Sequence, residues 1–383
     1  MEKIELYIKK EKCCGCSACV NVCPKNAITM IEDSEGFLYP NINYDLCINC
    51  GACKRVCSFH DNYKTPELLE NIGIYGIKHK SMEERMSSRS GGVFAAIAEH
   101  ILGMDGVVYG AAFNEELVVE HTRITDKKDI IKLKGSKYVQ SNMQDVFLRV
   151  KEDLQNNRFV LFSGTACQVA GLKSYIPSRL QEKLLVCDIV CHGVPSPKVW
   201  KDYLKMVEKK HGKRVVKADF RDKSFGWNTH FETLYFNEDG TDKETSRIYA
   251  NLFCWHIMLR PSCNECHFTN FKRVSDFTLA DFWGIENIAP KFNDNKGVSL
   301  LLVNTKKAEM LFEEIKSELD YICATKEACL QPNLQSPTIP AYNRKQFWRD
   351  YERYGFEYCV KKYNGIIQRV FRKLNRIKRQ LVK

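Results

Sequence analysis

The chain has 383 residues, is 44% hydrophobic and carries a net charge of +11. That composition excludes a disordered or fibrous protein and provides buried cores for two or three domains. The positive balance fits an anionic cofactor, anionic lipid or nucleic acid, yet much of it sits at the end of the chain, where residues 361–383 hold nine Lys or Arg and no acid.

The first residues, "MEKIELYIKKEK", are charged almost throughout and lack the apolar core of a signal peptide, so a cytoplasmic location is expected. In a reducing compartment the 18 cysteines are expected to serve as metal ligands, catalytic thiols or buried hydrophobes rather than disulfides. No stretch approaches the ~18 consecutive apolar residues that a membrane span needs.

Residues 1–60 contain half of the cysteines and an internal repeat: "CCGCSACVNVCPKNAI" recurs 34 residues later as "CINCGACKRVCSFHDN". A unit this short buries little core, so its cysteines must hold it together. Cys13, Cys16, Cys19 and Cys23 follow C-x2-C-x2-C-x3-C with Pro24 after them, and Cys47, Cys50, Cys53 and Cys57 repeat the spacing without the Pro. This is the bacterial ferredoxin run for 4Fe-4S clusters, in which the fourth cysteine ligates the other cluster. Cys13, Cys16, Cys19 and Cys57 are therefore assigned to one cluster and Cys47, Cys50, Cys53 and Cys23 to the other, with Cys14 left as a non-ligand. Gly15 and Gly51 give the ligand loops their conformational freedom. Zinc fits poorly, because its sites take four ligands in paired knuckles, not two identical runs of four. There is no C-x3-C-x2-C, so a radical-SAM site has no support.

A polar linker is expected over residues 61–71, followed by a larger unit over 72–345. There "GVVYGAAF" and "LVVEHTRI" predict a hairpin around Asn114 and Glu115, and "RFVLFSG", "LLVCDIVCHG" and "SLLLVN" predict buried strands. Between them Val93, Ile97 and Ile101 share one helical face, as do Met143, Phe147, Val150 and Leu154. The fold expected overall is an α+β ferredoxin-like two-cluster module followed by an α/β flavin-binding domain with a mixed, largely parallel sheet. Beyond it, residues 346–383 form an aromatic and basic tail in which Ile366, Val370, Leu374, Ile377 and Leu381 recur at helical spacing. Packing on its own domain or on a partner is the favoured role for that tail, and peripheral membrane contact the alternative.

In the larger unit Cys167 stands in a strand-to-helix loop, Cys191 at a strand end, and Cys263 and Cys266 form a C-x2-C pair. Four thiols at loop ends suit a third 4Fe-4S cluster, against the plainer role of buried free cysteines. Cys187, inside a strand, is expected to face the core. His192 and Asp281 are candidate proton donors, but loop-stabilising hydrogen bonds are the favoured role for both.

Neither a G-x-G-x-x-G nor a P-loop motif is present. Three small-residue loops remain: Ser90, Gly91 and Gly92 before a helix; Lys134, Gly135, Ser136 and Lys137; and Ser163, Gly164 and Thr165 after a strand. Their free amides and two lysines suit the pyrophosphate of a flavin dinucleotide.

With these loops the sequence resembles the coenzyme F420 hydrogenase/dehydrogenase beta subunit family. "SSRSGGVF", "KGSKYVQS", "LFSGTACQVAGL", "CHGVPSP" and "RPSCNECHFTNFKRVSDFTLADFWG" look like its successive motifs over residues 75–335. Arg89, within what is often a serine run, and Ala166, where Pro is common, depart from them. The resemblance implies an FAD-binding α/β domain passing electrons between iron-sulfur clusters and a hydride carrier, coenzyme F420 in archaeal members. Many relatives are fused to a two-cluster ferredoxin module, and bacterial ones are often associated with polysaccharide biosynthesis. The expected activity is that of an iron-sulfur flavoprotein oxidoreductase with a small soluble substrate and, as a second partner, a redox protein. An electron-transfer or docking subunit without turnover of its own is the alternative. No nucleic-acid partner is expected, since no recognised module accompanies the charge.

Overall fold

The computed structural model describes residues 3–60, 63 and 68–364. Most of the expected linker, and tail positions Ile366, Val370, Leu374, Ile377 and Leu381, lie outside the described residues.

The N-terminal unit is built around a hairpin of β1 (Ile28–Glu32) and β2 (Leu38–Ile42), paired antiparallel with Ile28 opposite Ile42. One-turn helices Ala18–Asn21 and Ala52–Arg55 flank it and carry Cys19 and Cys53. The repeat is visible in the backbone. Gly15 and its counterpart Asn49 have φ of 72° and 56°, and Ser17 and its counterpart Gly51 have 62° and 71°. Cys16 and Cys50 thus each sit between two left-handed residues, which turn the chain sharply around the thiol.

The larger unit follows with β3 (Gly73–His79), β4 (Val107–Phe113), β5 (Val119–Ile124), β6 (Val160–Thr165) and β7 (Leu184–Ile189). Next come β8 (Lys217–Phe220), β9 (Glu232–Tyr235) and β10 (Lys243–Ser246), then β11 (Phe277–Asp281), β12 (Ser299–Val303) and β13 (Leu319–Cys323). Eight of these form one sheet in the order β13-β3-β12-β11-β7-β6-β4-β5. The pairings β11/β7, β7/β6 and β6/β4 are parallel, and the other four are antiparallel.

The sheet is therefore mixed but not largely parallel, which corrects the expectation. A continuous apolar run such as that of β12 marks a strand buried on both faces, and says nothing about the direction of its neighbours. The separate antiparallel sheet β10-β9-β8 was not anticipated either, because its short polar strands, such as "KETS", give no apolar alternation.

Alternation along the central strands sends side chains to two cores. Val160 and Phe162 of β6 and Val186 of β7 join Phe147, Val150 and Val169 on one face. Leu161, Leu185 and Cys187 join Ile97, Ile101 and Phe312 on the other. Cys187 faces core as expected. The first core also takes in Cys14, Ala18, Val56 and Phe59, so the cysteine-dense unit is packed onto the sheet's helical layer. Polar contacts fasten the two units: Arg344 forks onto the Glu35 carboxylate, Lys198 Nζ donates to Ser34 O at 3.0 Å, and Asn21 Nδ2 donates to Gln144 O at 3.0 Å. A third core of Trp200, Tyr203, Phe220, Tyr249, Phe347 and Tyr363 joins β8–β10 to the helices Pro197–His211 and Arg344–Asn364. The last helix kinks at Gly355, where φ is 80°. Among the described residues no helix is long and apolar enough to cross a membrane.

Candidate functional site

β6 and β7 end side by side, and the loops leaving them place functional groups at the carboxyl edge of the parallel strands, where α/β sheets bind ligands. Thr165 closes β6 and caps the helix Ala166–Tyr175 through a reciprocal capping box with Gln168, its backbone N–H donating to Gln168 Oε1 at 2.9 Å. Cys167 is thereby held in the first turn of that helix, with its sulfur 3.2 Å from Thr165 Oγ1. β7 leads directly into Cys191. A short turn, Pro261–Glu265, presents Cys263, and Cys266 follows it.

These four cysteines line one cavity together with Cys14, Phe59, Arg260 and Phe268. Backbone amides point at two of the sulfurs: Gly193 N–H donates to Cys191 Sγ and Val194 N–H to Cys263 Sγ, each at 3.3 Å. Burial pushes the thiols of Cys263 and Cys266 up to about 11 and about 12, and that of Cys191 up as well, with the neighbouring thiols adding to the effect. Four soft donors buried together with N–H groups aimed at them suit a 4Fe-4S cluster. Among the described residues no three His, Cys, Asp or Glu side chains gather tightly enough for one metal ion. A cubane takes its thiolates at its corners, further apart.

In the N-terminal unit Cys19 is pushed up by burial and then by Cys16, Cys13 and Cys57, and Cys57 is pushed up to about 11 by burial and then by Cys16. The last cysteine of the second run therefore lies with the first three of the first run. Cys53 is raised by burial, with Cys50 and Cys47 adding, and it shares an apolar cluster with Cys23, whose sulfur accepts the Ala27 N–H at 3.3 Å. Cys57 is thus placed beside Cys13, Cys16 and Cys19, while Cys23 shares its apolar cluster with both Cys19 and Cys53.

Cys14 is not idle. It is buried, with its thiol hydrogen-bonded toward both Cys16 and Cys167, and these contacts hold both of those thiols down. It stands where the ferredoxin loop meets the cavity of the larger unit. The sequence reading left Cys14 as a non-ligand, because nothing around it gave it a partner.

Beyond the cysteine cavity lies a cleft of about 1490 Å³, larger than the roughly 300–1,000 Å³ usual for one small ligand. The two share a wall made of Thr165, Ile189, Cys191, His192, Gly193 and Val194. Ser90, Gly92, Lys134, Gly135, Ser136, Lys137, Ser163, Gly164 and Thr165 all line the cleft. Three loops distant in sequence are thus brought to one place. Gly91 stands behind the wall: its N–H donates to Ser299 Oγ at 2.8 Å, and an added Cβ would meet Ile77 O at 2.0 Å. Its role is close packing.

The two lysines serve the loop itself. Lys134 pairs with Glu84, and Lys137 Nζ donates to the carbonyls of Lys132 and Lys134 at 2.9 and 2.7 Å. Among the described residues Ser88 Oγ, Arg89 Nε and Asn343 Oδ1, all on the cleft, are buried without hydrogen-bond partners and are polar atoms available to a bound ligand. This fits a phosphate-bearing cofactor such as a flavin dinucleotide.

Next to Arg89, which donates to the carbonyls of Arg221 and Trp227, Arg221 pairs with Asp281 and lies 5.0 Å from the centre of the Trp283 ring, which stacks on Trp227 at 5.1 Å. Burial would push Asp281 up, but Arg221 and Arg89 hold it below the usual carboxylate range, and Trp227 Nε1 donates to it at 2.8 Å. His192 Nε2 lies 2.7 Å from His256 Nε2. Both candidate proton donors are thus in structural hydrogen bonds. His121 was missed: it lines the cleft, its Nε2 3.0 Å from Ser163 O and its Nδ1 2.9 Å from Ser141 Oγ, and burial lowers it to about 4. Residues of the segment Gln331–Asn343 also line the cleft, and the spaced Pro332, Pro337 and Pro340 were its signal in the sequence.

Two family models match the chain: the C terminus of the coenzyme F420 hydrogenase/dehydrogenase beta subunit, over residues 157–327, and the 4Fe-4S dicluster domain, over residues 12–60. An F420H2 dehydrogenase subunit of Methanosarcina mazei is 24% identical over 233 residues, 57% of this chain, which spans 64% of that relative's length. Ferredoxin 7Fe of Hydrogenibacillus schlegelii is 36% identical over 67 residues, 16% of this chain and 80% of the ferredoxin. A chain of the F420-reducing [NiFe] hydrogenase complex from Methanosarcina barkeri superposes at a TM-score of 0.48 with 15% identity, covering 79% of this chain and 94% of that one.

Proposed function

Since the chain belongs to the coenzyme F420 hydrogenase/dehydrogenase beta subunit family and carries a 4Fe-4S dicluster domain ahead of it, we propose that it is an iron-sulfur flavoprotein oxidoreductase. It exchanges hydride with a small soluble substrate, coenzyme F420 or another carrier, in the cytoplasm. Bound clusters supply one-electron transfer, and a bound FAD the exchange between single electrons and hydride.

The observation that carries this reading is the shared wall. Cys191 and the residues after it face the cysteine cavity on one side and the large cleft on the other, while Cys14 joins that cavity to Cys16. Cys13, Cys16, Cys19 and Cys57 hold one cluster, Cys47, Cys50, Cys53 and Cys23 a second, and Cys167, Cys191, Cys263 and Cys266 a third. The loops Ser90–Gly92, Lys134–Lys137 and Ser163–Thr165 border the flavin, Gly91 through its packing. The cleft's size leaves room for a substrate beside it.

Anaerobic purification followed by flavin extraction tests the reading. About one FAD per chain supports it, and a protein that neither carries nor binds added flavin overturns it. A second reading, an electron-transfer protein that turns over only with a partner, draws on the F420H2 dehydrogenase relative, itself one subunit among others. It gains if flavin is present but no soluble acceptor is reduced by the chain alone.

A further inference from the structure

Arg260 is fully buried, and among the described residues no carboxylate pairs with it. An unpaired buried charge is costly, so something else must offset it. Its guanidinium is held by neutral acceptors: Nε donates to Cys13 O at 2.8 Å, Nη1 to Gln140 Oε1 at 2.9 Å, and Nη2 to Leu38 O at 2.9 Å. The Tyr39 ring centre lies 4.2 Å away. The atoms nearby that become anionic are sulfurs. Nη2 lies 3.7 Å from Cys13 Sγ, Arg260 lines the cavity of Cys167, Cys191, Cys263 and Cys266, and its carbonyl accepts the Cys263 N–H at 3.0 Å. An added Cβ at Gly15 would lie 2.9 Å from Nη1, so the first ligand loop rests directly on the guanidinium.

We propose that Arg260 is the fixed counter-charge shared by two neighbouring clusters, the one on Cys13, Cys16, Cys19 and Cys57 and the one on Cys167, Cys191, Cys263 and Cys266, and that it raises the reduction potential of both. The inference rests on the cluster assignment above. Each one-electron reduction adds a negative charge to a cluster, and a cation held in a dry, low-dielectric site stabilises the reduced form more than the oxidised one. Beside the cluster on Cys23, Cys47, Cys50 and Cys53 the guanidinium is that of the exposed Arg55, whose Nη1 donates to Cys50 O at 3.0 Å and is screened by water, so Arg260 acts on the inner pair and not on the outer cluster. Arg260 is a positioning residue, since it transfers no electron itself.

The test is an EPR-monitored redox titration of the full chain, reconstituted anaerobically with iron and sulfide. Arg260→Gln should move two of three cluster potentials negative by at least tenfold in the one-electron equilibrium, ~59 mV, and leave the third in place. Arg260→Lys, which keeps the charge, should restore most of the shift. If Arg260→Gln fails to retain iron, Gln140→Glu sets a carboxylate against the intact guanidinium and should move the same two potentials in the same direction. Full iron content with unmoved potentials, an equal shift of all three, or a Lys variant as displaced as the Gln variant overturns the proposal. Failure of the wild-type chain to load three clusters overturns the assignment beneath it instead.

Discussion

Gly171, one turn beyond Cys167 on the same helix, is pressed against Cys16: a Cβ built on it would meet Cys16 Sγ at 2.8 Å and Cys16 Cβ at 3.3 Å. The helix that carries a thiol of the inner cavity therefore also forms the seat of the ferredoxin loop, which ties the spacing of two cysteine sets to one rigid element.

Gly171→Ala should displace Cys16, since no open space receives the methyl. Overpacking of this kind costs about 1–3 kcal/mol. Urea unfolding should show that loss, and iron analysis of the reconstituted variant should show less than the wild-type content. An unaltered midpoint with full iron would mean that the loop yields without strain.

Cys50→Ala and Cys263→Ala separate the two ends of the chain of sites. Each should lower bound iron by about four atoms per chain, because each removes a ligand from a different 4Fe-4S cluster. Cys187→Ala, in the core beneath β7, should leave iron unchanged and cost only packing. Iron retained in Cys263→Ala would reduce the inner set to buried free thiols.

Asp281 is closed in by Arg221 and by the Trp227 indole. Asp281→Ala leaves the Arg221 guanidinium buried without its carboxylate, and removal of one partner of such a pair costs about 3–5 kcal/mol. Chemical denaturation measures it. Asp281→Asn, which keeps the shape and an acceptor for the indole, should be less damaging. Equal stability of Asp281→Ala and wild type would show that water replaces the ion pair.

The His121 imidazole is lowered to about 4 by burial, from 6.5. A group with a depressed folded value binds its proton more readily in the unfolded chain, so its contribution favours folding above pH 6.5 and is lost as pH falls from 6.5 toward 4. The loss approaches ~3 kcal/mol at the acid end. His121→Gln should flatten that part of the stability profile between pH 8 and pH 5. An unchanged slope would place the acid sensitivity elsewhere, His230 being the next candidate because burial lowers it to about 4 as well.

How far the sequence anticipated this arrangement follows from what each signal encodes. Ligand spacing is local, so the two ferredoxin runs were legible, and a 4Fe-4S dicluster domain model matches residues 12–60. The hairpin of β4 and β5 and the strands β6, β7 and β12 were legible because four or more apolar residues in a row have few other uses. Strand direction was not, since β11 and β12 pair antiparallel through side chains that would serve equally well in a parallel sheet. Partners far apart along the chain were also hidden. Nothing around Arg260 announces that it meets Cys13, 247 residues away, and nothing around Gly91 tells that it packs on β3 while Ser90 and Gly92 face the cleft. Lysines 134 and 137 matched a phosphate loop in composition, yet their ammonium groups hold the loop's own carbonyls and Glu84.

The most direct measurement is quantitation of iron, acid-labile sulfide and flavin on one anaerobically purified sample of the full chain. Three clusters wired to a flavin cleft require about twelve irons, about twelve sulfides and one FAD per chain. About eight irons with no flavin, before and after reconstitution, would contradict it and leave a ferredoxin module attached to a domain of another function.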